Sequence, residues 1–276
     1  MKLFILFLLI NKVCCWNFIP YKKLSKPKIH INPWNKKQFN NKKYISITPG
    51  GIYGFYSLGI TSYIIDNFNT TNYSFLGASA GAWISLVSCY RYDNNKLIYK
   101  LLNNSLLDNS KSINSLQYNI REYLIKNYDT KDFDLGKLNI CITEFNSRIF
   151  EPMIINNFTS LENAIDCCIV SSHIPYITSN KFIKFYNKKI VFDGGFANFP
   201  PKSVYSHIII SPSKYNFEML GNMFVNMFNS KITSSMANKL YIKGYNDAKK
   251  DKKNLDFIFN PKNEYLNIKD NEFELE

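Results

Sequence analysis

The stretch from Tyr73 to Tyr90 constrains the fold of this chain more than any other segment. At its centre, a Gly-x-Ser-x-Gly pentapeptide at residues 77–81 stands between an apolar run and a run of apolar and small residues. This context is typical of a nucleophile elbow, a sharp turn from a strand into a helix that leaves the central side chain pointing out of the fold. We therefore expect Ser79 at a helix start, where Gly77 and Gly81 let strand and helix approach closely.

The pentapeptide alone leaves a second interpretation open. A helix that starts with small residues also permits tight packing without any chemistry, and the bare pattern arises by chance in roughly a few per cent of chains of this length. The apolar flanks favour the nucleophile. Because a serine hydroxyl is a weak nucleophile at neutral pH, this interpretation also requires a base and a group that stabilises the oxyanion.

A glycine-rich loop precedes the elbow and could stabilise an anion. Residues 44–48 have strand character and residues 55–66 helical character, and the loop between them is Pro49-Gly50-Gly51-Ile52-Tyr53-Gly54. A dinucleotide-binding fingerprint would have glycine where Pro49 stands, so we interpret the loop as an oxyanion hole. The glycines assigned to this hole are Gly50, Gly51 and Gly54. A plain glycine turn is the alternative.

The third feature is Asp193, which begins an Asp-Gly-Gly turn after a short apolar strand at residues 190–192. A carboxylate held on a turn by backbone N–H groups can accept the proton of a serine hydroxyl. Asp-Gly is also common in ordinary turns, so Asp193 followed by Gly194 and Gly195 would carry little weight alone. Asp193 supports a catalytic interpretation only together with the elbow serine and the glycine-rich loop.

Strands alternate with helices along the chain, which predicts an α/β fold with a largely parallel central sheet. Strands that end near Thr48, Leu76 and Phe192 each lead into one of the three special loops. In such sheets, sites gather at the carboxyl ends of strands, so the three loops are expected to meet. Residues 206–211 are predicted to form a fully buried strand.

Together, the three motifs resemble the patatin-like phospholipase family over roughly residues 44–212. Their order, and the gap of 114 positions between Ser79 and Asp193, suit that family. Residues 171–175, Ser-Ser-His-Ile-Pro, resemble its Ser-x-x-Ile-Pro segment, and the details are more similar to the animal triglyceride-lipase branch than to plant patatins.

The resemblance implies a three-layer α/β/α sandwich and a Ser–Asp dyad, with Ser79 as nucleophile and Asp193 as base. It implies no metal and no cofactor, and a lipid ester substrate at a membrane or lipid-droplet surface. The motif glycines carried over are Gly50, Gly51, Gly54, Gly77, Gly81, Gly194 and Gly195. This chain departs from the family at Pro49, which has no N–H to donate, and at Tyr53, where many members carry Arg or Lys.

Composition narrows the possible partners. The net charge is +13, but the basic residues are scattered and no recognition helix or zinc-ligand spacing is present, so we expect association with anionic lipid surfaces and not with nucleic acid. The cysteines show neither a disulfide framework nor a metal spacing and are interpreted as buried free thiols. They are Cys14, Cys15, Cys89, Cys141, Cys167 and Cys168.

The domain organisation predicted from these patterns has four parts. An apolar run at residues 3–10 has the size of a signal-peptide core and is too short to span a bilayer, which favours a secretory signal or a membrane anchor over a buried N-terminal segment. The parts are residues 1–16 as signal or anchor, 17–43 as a basic linker, 44–212 as the hydrolase domain, and 213–276 as a helical extension with a polar tail.

Two other functions are compatible with the sequence. One is an α/β-hydrolase esterase in which Ser79, Asp193 and His207 form a triad, since the chain order permits it. The other is a non-catalytic lipid-binding protein of the same fold, which the residues at Pro49 and Tyr53 keep open. His30 lies in the basic linker, and His173 is expected to be a structural residue.

Overall fold

A mixed α/β fold is formed by the part of the chain that the computed structural model describes, namely residues 43–103, 105–147, 149–213 and 232–260. Its strands are β1 (Lys43–Ile47), β2 (Tyr73–Ala78), β3 (Leu138–Asn146), β4 (Ile149–Ile155), β5 (Lys184–Tyr186), β6 (Lys189–Phe192) and β7 (Ser206–Ile210). Its helices are α1 (Gly54–Asn67), α2 (Ala80–Ser88), α3 (Asn94–Leu102), α4 (Ser105–Asp108), α5 (Ile113–Asn127), α6 (Leu161–Ser171), α7 (Ser234–Lys250) and α8 (Lys252–Phe259).

The strands form one sheet with a parallel centre, which confirms the predicted α/β class. β7, β1, β2 and β3 are parallel neighbours in that order, β4 and β6 pair antiparallel with β3, and β5 pairs antiparallel with β6. All six residues of β2 are buried, as is expected for a central parallel strand covered on both faces. The core of the fold lies around this strand and β1.

The pairing of β3 places the ends of two other strands next to each other. β4 runs antiparallel along one edge of β3, so β2 and β6 must both lie on the opposite edge. β2 ends with Ala78 opposite Cys141, and β6 ends with Phe192 opposite Thr143. Because β2 is parallel and β6 antiparallel to β3, the two strands meet end to end, and the turns that follow them begin at the same point.

The strand β7 differs from the predicted, fully buried strand. It lies at one edge of the sheet, and the side chain of Ile209 is 43% exposed while Ile208 and Ile210 are buried. Only alternate residues of a strand face the core, so three consecutive isoleucines do not show that both faces are covered.

The C-terminal segment also differs from the predicted polar tail over residues 249–276. Residues 252–259 form α8, whose Leu255 is fully buried and whose Phe259 ring stacks on Phe68 at 5.0 Å. These apolar residues are four apart and so lie on one helix face. The many lysines around them make the segment polar in composition, so its sequence predicts a tail and not an amphipathic helix. The proposed segment 1–16 and all of the proposed linker 17–43 except Lys43 lie outside the described residues, as do residues 217–228, for which the sequence also predicts a helix.

Helices α1 and α7 cross at two glycines. A Cβ atom on Gly59 would lie 2.0 Å from the carbonyl oxygen of Tyr241, and one on Gly244 would lie 2.0 Å from that of Tyr56. The Tyr56 hydroxyl also donates a hydrogen bond of 2.9 Å to Asp247 Oδ2. The backbones of α1 and α7 are therefore in direct contact, and no other residue type fits at the crossing.

We expect Gly244→Ala to lower the free energy of unfolding by about 2 kcal/mol or more. The added methyl group collides with backbone, which side-chain rotation cannot relieve, and this cost exceeds the gain of about 1 kcal/mol in helix propensity. Urea unfolding would measure the change, with Lys239→Ala on the exposed side of α7 as the control. A stability equal to that of the control would contradict the close crossing.

None of the described helices combines the length and the apolar character that a bilayer crossing requires.

Candidate active site

Ser79 occupies the sharp turn between β2 and α2. Its φ and ψ angles are 54° and −124°, a combination that a non-glycine residue adopts only at a cost, and its side chain is 8% exposed. The turn is possible because strand and helix nearly touch: a Cβ atom on Gly77 would lie 2.0 Å from the Gly81 carbonyl oxygen. This is the strained, helix-capping position predicted for a nucleophile.

Asp193 follows β6 directly and is 3% exposed. Its backbone N–H donates to the His173 carbonyl at 2.8 Å, and its Oδ1 accepts the Gly195 N–H at 2.7 Å. The turn fits at the end of β2 only because it contains glycine, since a Cβ atom on Gly194 would lie 2.1 Å from the Cys141 carbonyl oxygen and 2.9 Å from the Ala78 Cβ. Asp193 and Ser79 therefore face each other across the junction of β2 and β6.

Burial raises the pKa of Asp193 to about 6, against the stabilising effects of the Ser79 hydroxyl and the Gly195 N–H. Among the described residues, however, no hydrogen bond of good geometry reaches Oδ2. The Ser79 hydroxyl and the Asp193 carboxylate are therefore close to each other without a formed hydrogen bond.

Ser171, at the end of α6, connects the two halves of the site. Its hydroxyl accepts the Ser79 N–H at 2.8 Å and donates to the Cys141 carbonyl at 2.7 Å, and its own carbonyl accepts the Gly194 N–H at 2.9 Å. Sequence reasoning found Ser171 only as part of the Ser-x-x-Ile-Pro resemblance. No spacing in the sequence signals that one serine holds both turns.

The glycine-rich loop lies beside these turns at the end of β1. Gly51 has a φ of 52°, in the left-handed region that favours glycine. The Tyr53 N–H donates to the Gly50 carbonyl at 3.0 Å, whereas the N–H groups of Gly51 and Ile52 open the helical turn and have no acceptor within it. These two N–H groups therefore have no partner within that turn.

Two residues of the loop, Gly54 and Pro49, make structural contacts. The Gly54 N–H donates to the Gly51 and Ile52 carbonyls, so Gly54 is not an oxyanion donor. Because Gly54 has no side chain, α1 can approach Ala80; a Cβ atom on Gly54 would lie 2.7 Å from the Ala80 Cβ. Pro49 packs against the Asp193 turn, since a Cβ atom on Gly195 would lie 2.9 Å from its Cγ. The proline that departs from the family pattern thus joins two loops of the site.

Gly51→Ala is expected to lower turnover by about 10²-fold. A methyl group at a φ of 52° forces the loop to move, which displaces the N–H groups of Gly51 and Ile52. Steady-state kinetics on a short-chain ester would measure this. Gly136→Ala is the matched control, since its Cβ would meet only Asp134 Oδ1 at an ordinary 3.5 Å. Unchanged turnover in folded Gly51→Ala would show that the loop has only a structural role.

His207 lies at the opposite end of the sheet from Ser79. Its ring is 5.2 Å from that of Tyr73 at the start of β2, and its Nε2 donates to the Ile258 carbonyl at 2.9 Å. With a rise of about 3.3 Å per residue, the six residues from Tyr73 to Ser79 separate them by about 20 Å. The predicted alternative of a Ser79–Asp193–His207 triad is therefore wrong.

His173 lies near Asp193 but its ring is engaged elsewhere. Nδ1 is 3.0 Å from Ser179 Oγ and Nε2 is 3.4 Å from the Phe182 carbonyl oxygen. Burial lowers the pKa of His173 to about 4, so the ring is neutral at physiological pH. It therefore holds the segment after α6 in place and is not positioned as a base for Ser79.

Aromatic rings cluster around the residues that flank Asp193 in the chain. Phe150 packs on Phe145, Phe192 and Phe196 at ring distances of 5.1, 5.6 and 6.4 Å, and His173 stacks on Phe192 at 6.0 Å. Phe192 is the residue immediately before Asp193, and Phe196 follows its glycines. Residues on both sides of the Asp193 turn thus belong to one aromatic cluster.

The cysteine prediction is confirmed where the structure describes it. Within the described residues, Cys89, Cys141, Cys167 and Cys168 are free and buried, and burial raises the pKa of Cys141 to about 12. No group of three or more His, Cys, Asp or Glu side chains in this part of the chain is arranged to hold a metal ion. Cys14 and Cys15 lie outside the described residues.

Comparison with known proteins adds little. No protein-family model matches this chain, and no curated protein matches it. One solved structure with a partial likeness is VipD from Legionella pneumophila, with 12% identity, a TM-score of 0.32, and coverage of 60% of this chain and 48% of VipD. This chain therefore spans about half of the length of VipD. A likeness at this TM-score supports no conclusion about fold or activity, so function has to be argued from the site.

Proposed function

We propose that this chain is a serine acyl hydrolase of the patatin-like type, which cleaves glycerolipid esters through Ser79 and Asp193. The observation that carries the proposal is the meeting of a serine at positive φ with a buried carboxylate at the junction of β2 and β6. The order of the strands along β3 brings the two together from positions 114 residues apart. We also propose that the helices lie on both faces of the sheet in a three-layer α/β/α sandwich.

In the proposed reaction, Ser79 Oγ attacks the ester carbonyl carbon while Asp193 Oδ2 accepts the hydroxyl proton. The N–H groups of Gly51 and Ile52, with the positive end of α2, stabilise the charge on the carbonyl oxygen. The tetrahedral intermediate expels the alcohol, which takes the proton from Asp193, and leaves an acyl-enzyme. Asp193 then takes a proton from water as the water attacks the acyl carbonyl, and the second tetrahedral intermediate expels Ser79 Oγ, which regains that proton from Asp193 as the fatty acid is released.

An apolar acyl group fits the surroundings of the site. The rings of Phe145, Phe150, Phe192 and Phe196 lie along the Asp193 side, where an acyl chain bound near Ser79 would replace water on apolar surface. A substrate with a charged acyl portion would lose its hydration against these rings without gaining a partner. This favours lipid esters over polar acyl substrates.

The test is covalent labelling followed by a lipid panel. Purified protein would be treated with a fluorophosphonate, and the labelled peptide identified by mass spectrometry. We expect a single adduct on Ser79, and fatty-acid release from phospholipids or acylglycerols by unlabelled protein only. Folded protein that stays unlabelled would contradict catalysis and favour the non-catalytic lipid-binding alternative.

Activity should fall below about pH 6. Asp193 accepts a proton only when ionised, and its pKa is raised to about 6, so the rate should rise with pH through that value and level off above pH 7. A pH–rate profile of kcat/KM on a soluble ester would measure the midpoint. His207→Gln should leave the profile unchanged, whereas a profile that shifts in this variant would contradict Asp193 as the base.

A further inference from the structure

An exposed face of aromatic and lysine side chains lies next to the active site, on the segment between α6 and the end of β5. Tyr176, Phe182, Ile183 and Phe185 are 57%, 40%, 39% and 65% exposed. The rings of Tyr176 and Phe182 stack at 5.9 Å, and Ile183 and Phe185 follow Phe182 within three residues of the chain. We call these four residues, with Lys181 and Lys188, the aromatic–lysine face.

The side chains of β5 face the opposite way from what their polarity predicts. Lys184 and Tyr186 point inward, where burial lowers the pKa of Lys184 and raises that of Tyr186, while Phe185 points outward. Successive residues of a strand face opposite sides, so a shift of one residue would have buried Phe185 and exposed the lysine. Outward aromatic residues in this arrangement indicate a surface that meets another apolar phase.

The charge of this segment is entirely positive. Residues 174–190 contain Lys181, Lys184, Lys188 and Lys189 and no acidic residue. Lys189 pairs with Glu144 at 2.8 Å, whereas Lys181 and Lys188 are exposed and form no ion pair with the described residues. Exposed lysines beside exposed aromatic rings match a surface that carries anionic groups above an apolar layer.

The face is connected to the catalytic groups by direct contacts. The Phe182 carbonyl is bound by the His173 ring, and the His173 carbonyl accepts the Asp193 N–H at 2.8 Å. The His173 ring also stacks on Phe192, which belongs to the aromatic cluster around the Asp193 turn. A lipid surface that contacts Phe182 would therefore lie close to Asp193 and not at a remote part of the fold.

We propose that the aromatic–lysine face is the surface by which this protein docks on anionic lipid, with Phe182 and Phe185 inserted among the acyl chains and Lys181 and Lys188 at the headgroups. This inference rests on the proposed function and deepens it, because it states how a site for lipid esters reaches its substrate. A symmetric contact with a second copy is disfavoured, since it would bring lysine against lysine.

Vesicle partition tests the proposal in the full chain carrying Ser79→Ala, so that binding is measured without hydrolysis. On vesicles of phosphatidylcholine and phosphatidylserine, Phe182→Ser with Phe185→Ser should lower the partition coefficient about tenfold or more. Lys181→Glu with Lys188→Glu should have a similar effect, and this loss should shrink at about 0.5 M salt. Circular dichroism and the urea midpoint would show that the variants are folded.

Matched controls lie elsewhere on the surface. Tyr99→Ser with Tyr118→Ser removes two aromatic side chains that are 67% and 60% exposed, and Lys239→Glu with Lys253→Glu reverses two exposed lysines. Both should change partition by less than about twofold. Equal losses in the controls and in the face variants would overturn the proposal, because binding would then depend only on general charge and hydrophobicity.

A second measurement does not depend on removing side chains. Phe182→Trp should show quenching by brominated lipid on anionic vesicles, and Tyr118→Trp should not. Absence of quenching at position 182 would overturn the proposal, as would face variants that lose self-association but keep vesicle binding. The docking result is independent of catalysis: the face variants without Ser79→Ala should still hydrolyse a soluble short-chain ester, and a protein that hydrolyses no ester would refute the proposed function alone.

Discussion

Ser79→Ala is expected to lower hydrolysis of a short-chain ester by at least about 10³-fold, because it removes the only atom that forms a bond to the acyl group in the proposed reaction. Folding should be preserved, since alanine fits the same turn and the Ser79 backbone N–H keeps its bond to Ser171. kcat/KM and the urea midpoint would be measured together.

The control for this experiment is Ser88→Ala, on the same helix. The Ser88 hydroxyl donates to the Ile84 carbonyl at 2.8 Å and is remote from the site, so this variant should retain nearly full activity. Residual activity in Ser79→Ala equal to that of Ser88→Ala would place the nucleophile elsewhere.

Asp193→Asn is expected to lose at least about 10³-fold in kcat/KM, because an amide cannot accept the serine proton. His207→Gln should retain most activity, since His207 lies at the other end of the sheet and its ring binds the Ile258 carbonyl. This pair separates a Ser–Asp dyad from any mechanism with an imidazole base. Comparable losses in both folded variants would contradict the dyad.

The same aspartate variant should be more stable than the native chain at pH 7. The pKa of Asp193 in the folded protein is about 6, above its ordinary value of 3.8, so folding favours the protonated form. The native chain therefore loses stability as the pH rises from about 4 to about 6, and Asp193→Asn avoids this loss, which is about 3 kcal/mol. Urea unfolding at pH 5 and pH 8 would show the gap between the two proteins widening with pH.

The local parts of the site could be predicted because each depends on a few neighbouring residues. The turn at Ser79 follows from the glycines on either side of it, and the left-handed Gly51 follows from a loop between a strand and a helix. The predicted α/β class followed from the alternation of strand and helix patterns. These are short-range consequences of backbone sterics and side-chain periodicity.

The parts that could not be predicted depend on long-range pairing. The end-to-end meeting of β2 and β6 requires β6 to be antiparallel to β3 in one register, and no local pattern specifies that register. Ser171 holds both turns through hydrogen bonds to residues far away in the chain, and Gly54 was assigned as a donor because its N–H bonds are invisible in the sequence. The edge position of β7 was missed for the same reason.

The crossing of α1 and α7 has a consequence for how the protein is made. α1 is the first helix of the described chain to leave the ribosome, yet the groove around Gly59 that receives α7 can be filled only after Gly244 has been synthesised. β1 likewise lacks its neighbouring strand β7 until residues 206–210 have been synthesised. A nascent chain must therefore keep an apolar helix and a strand edge uncovered through most of translation, which exposes it to aggregation and makes it a client for chaperones that bind such surfaces.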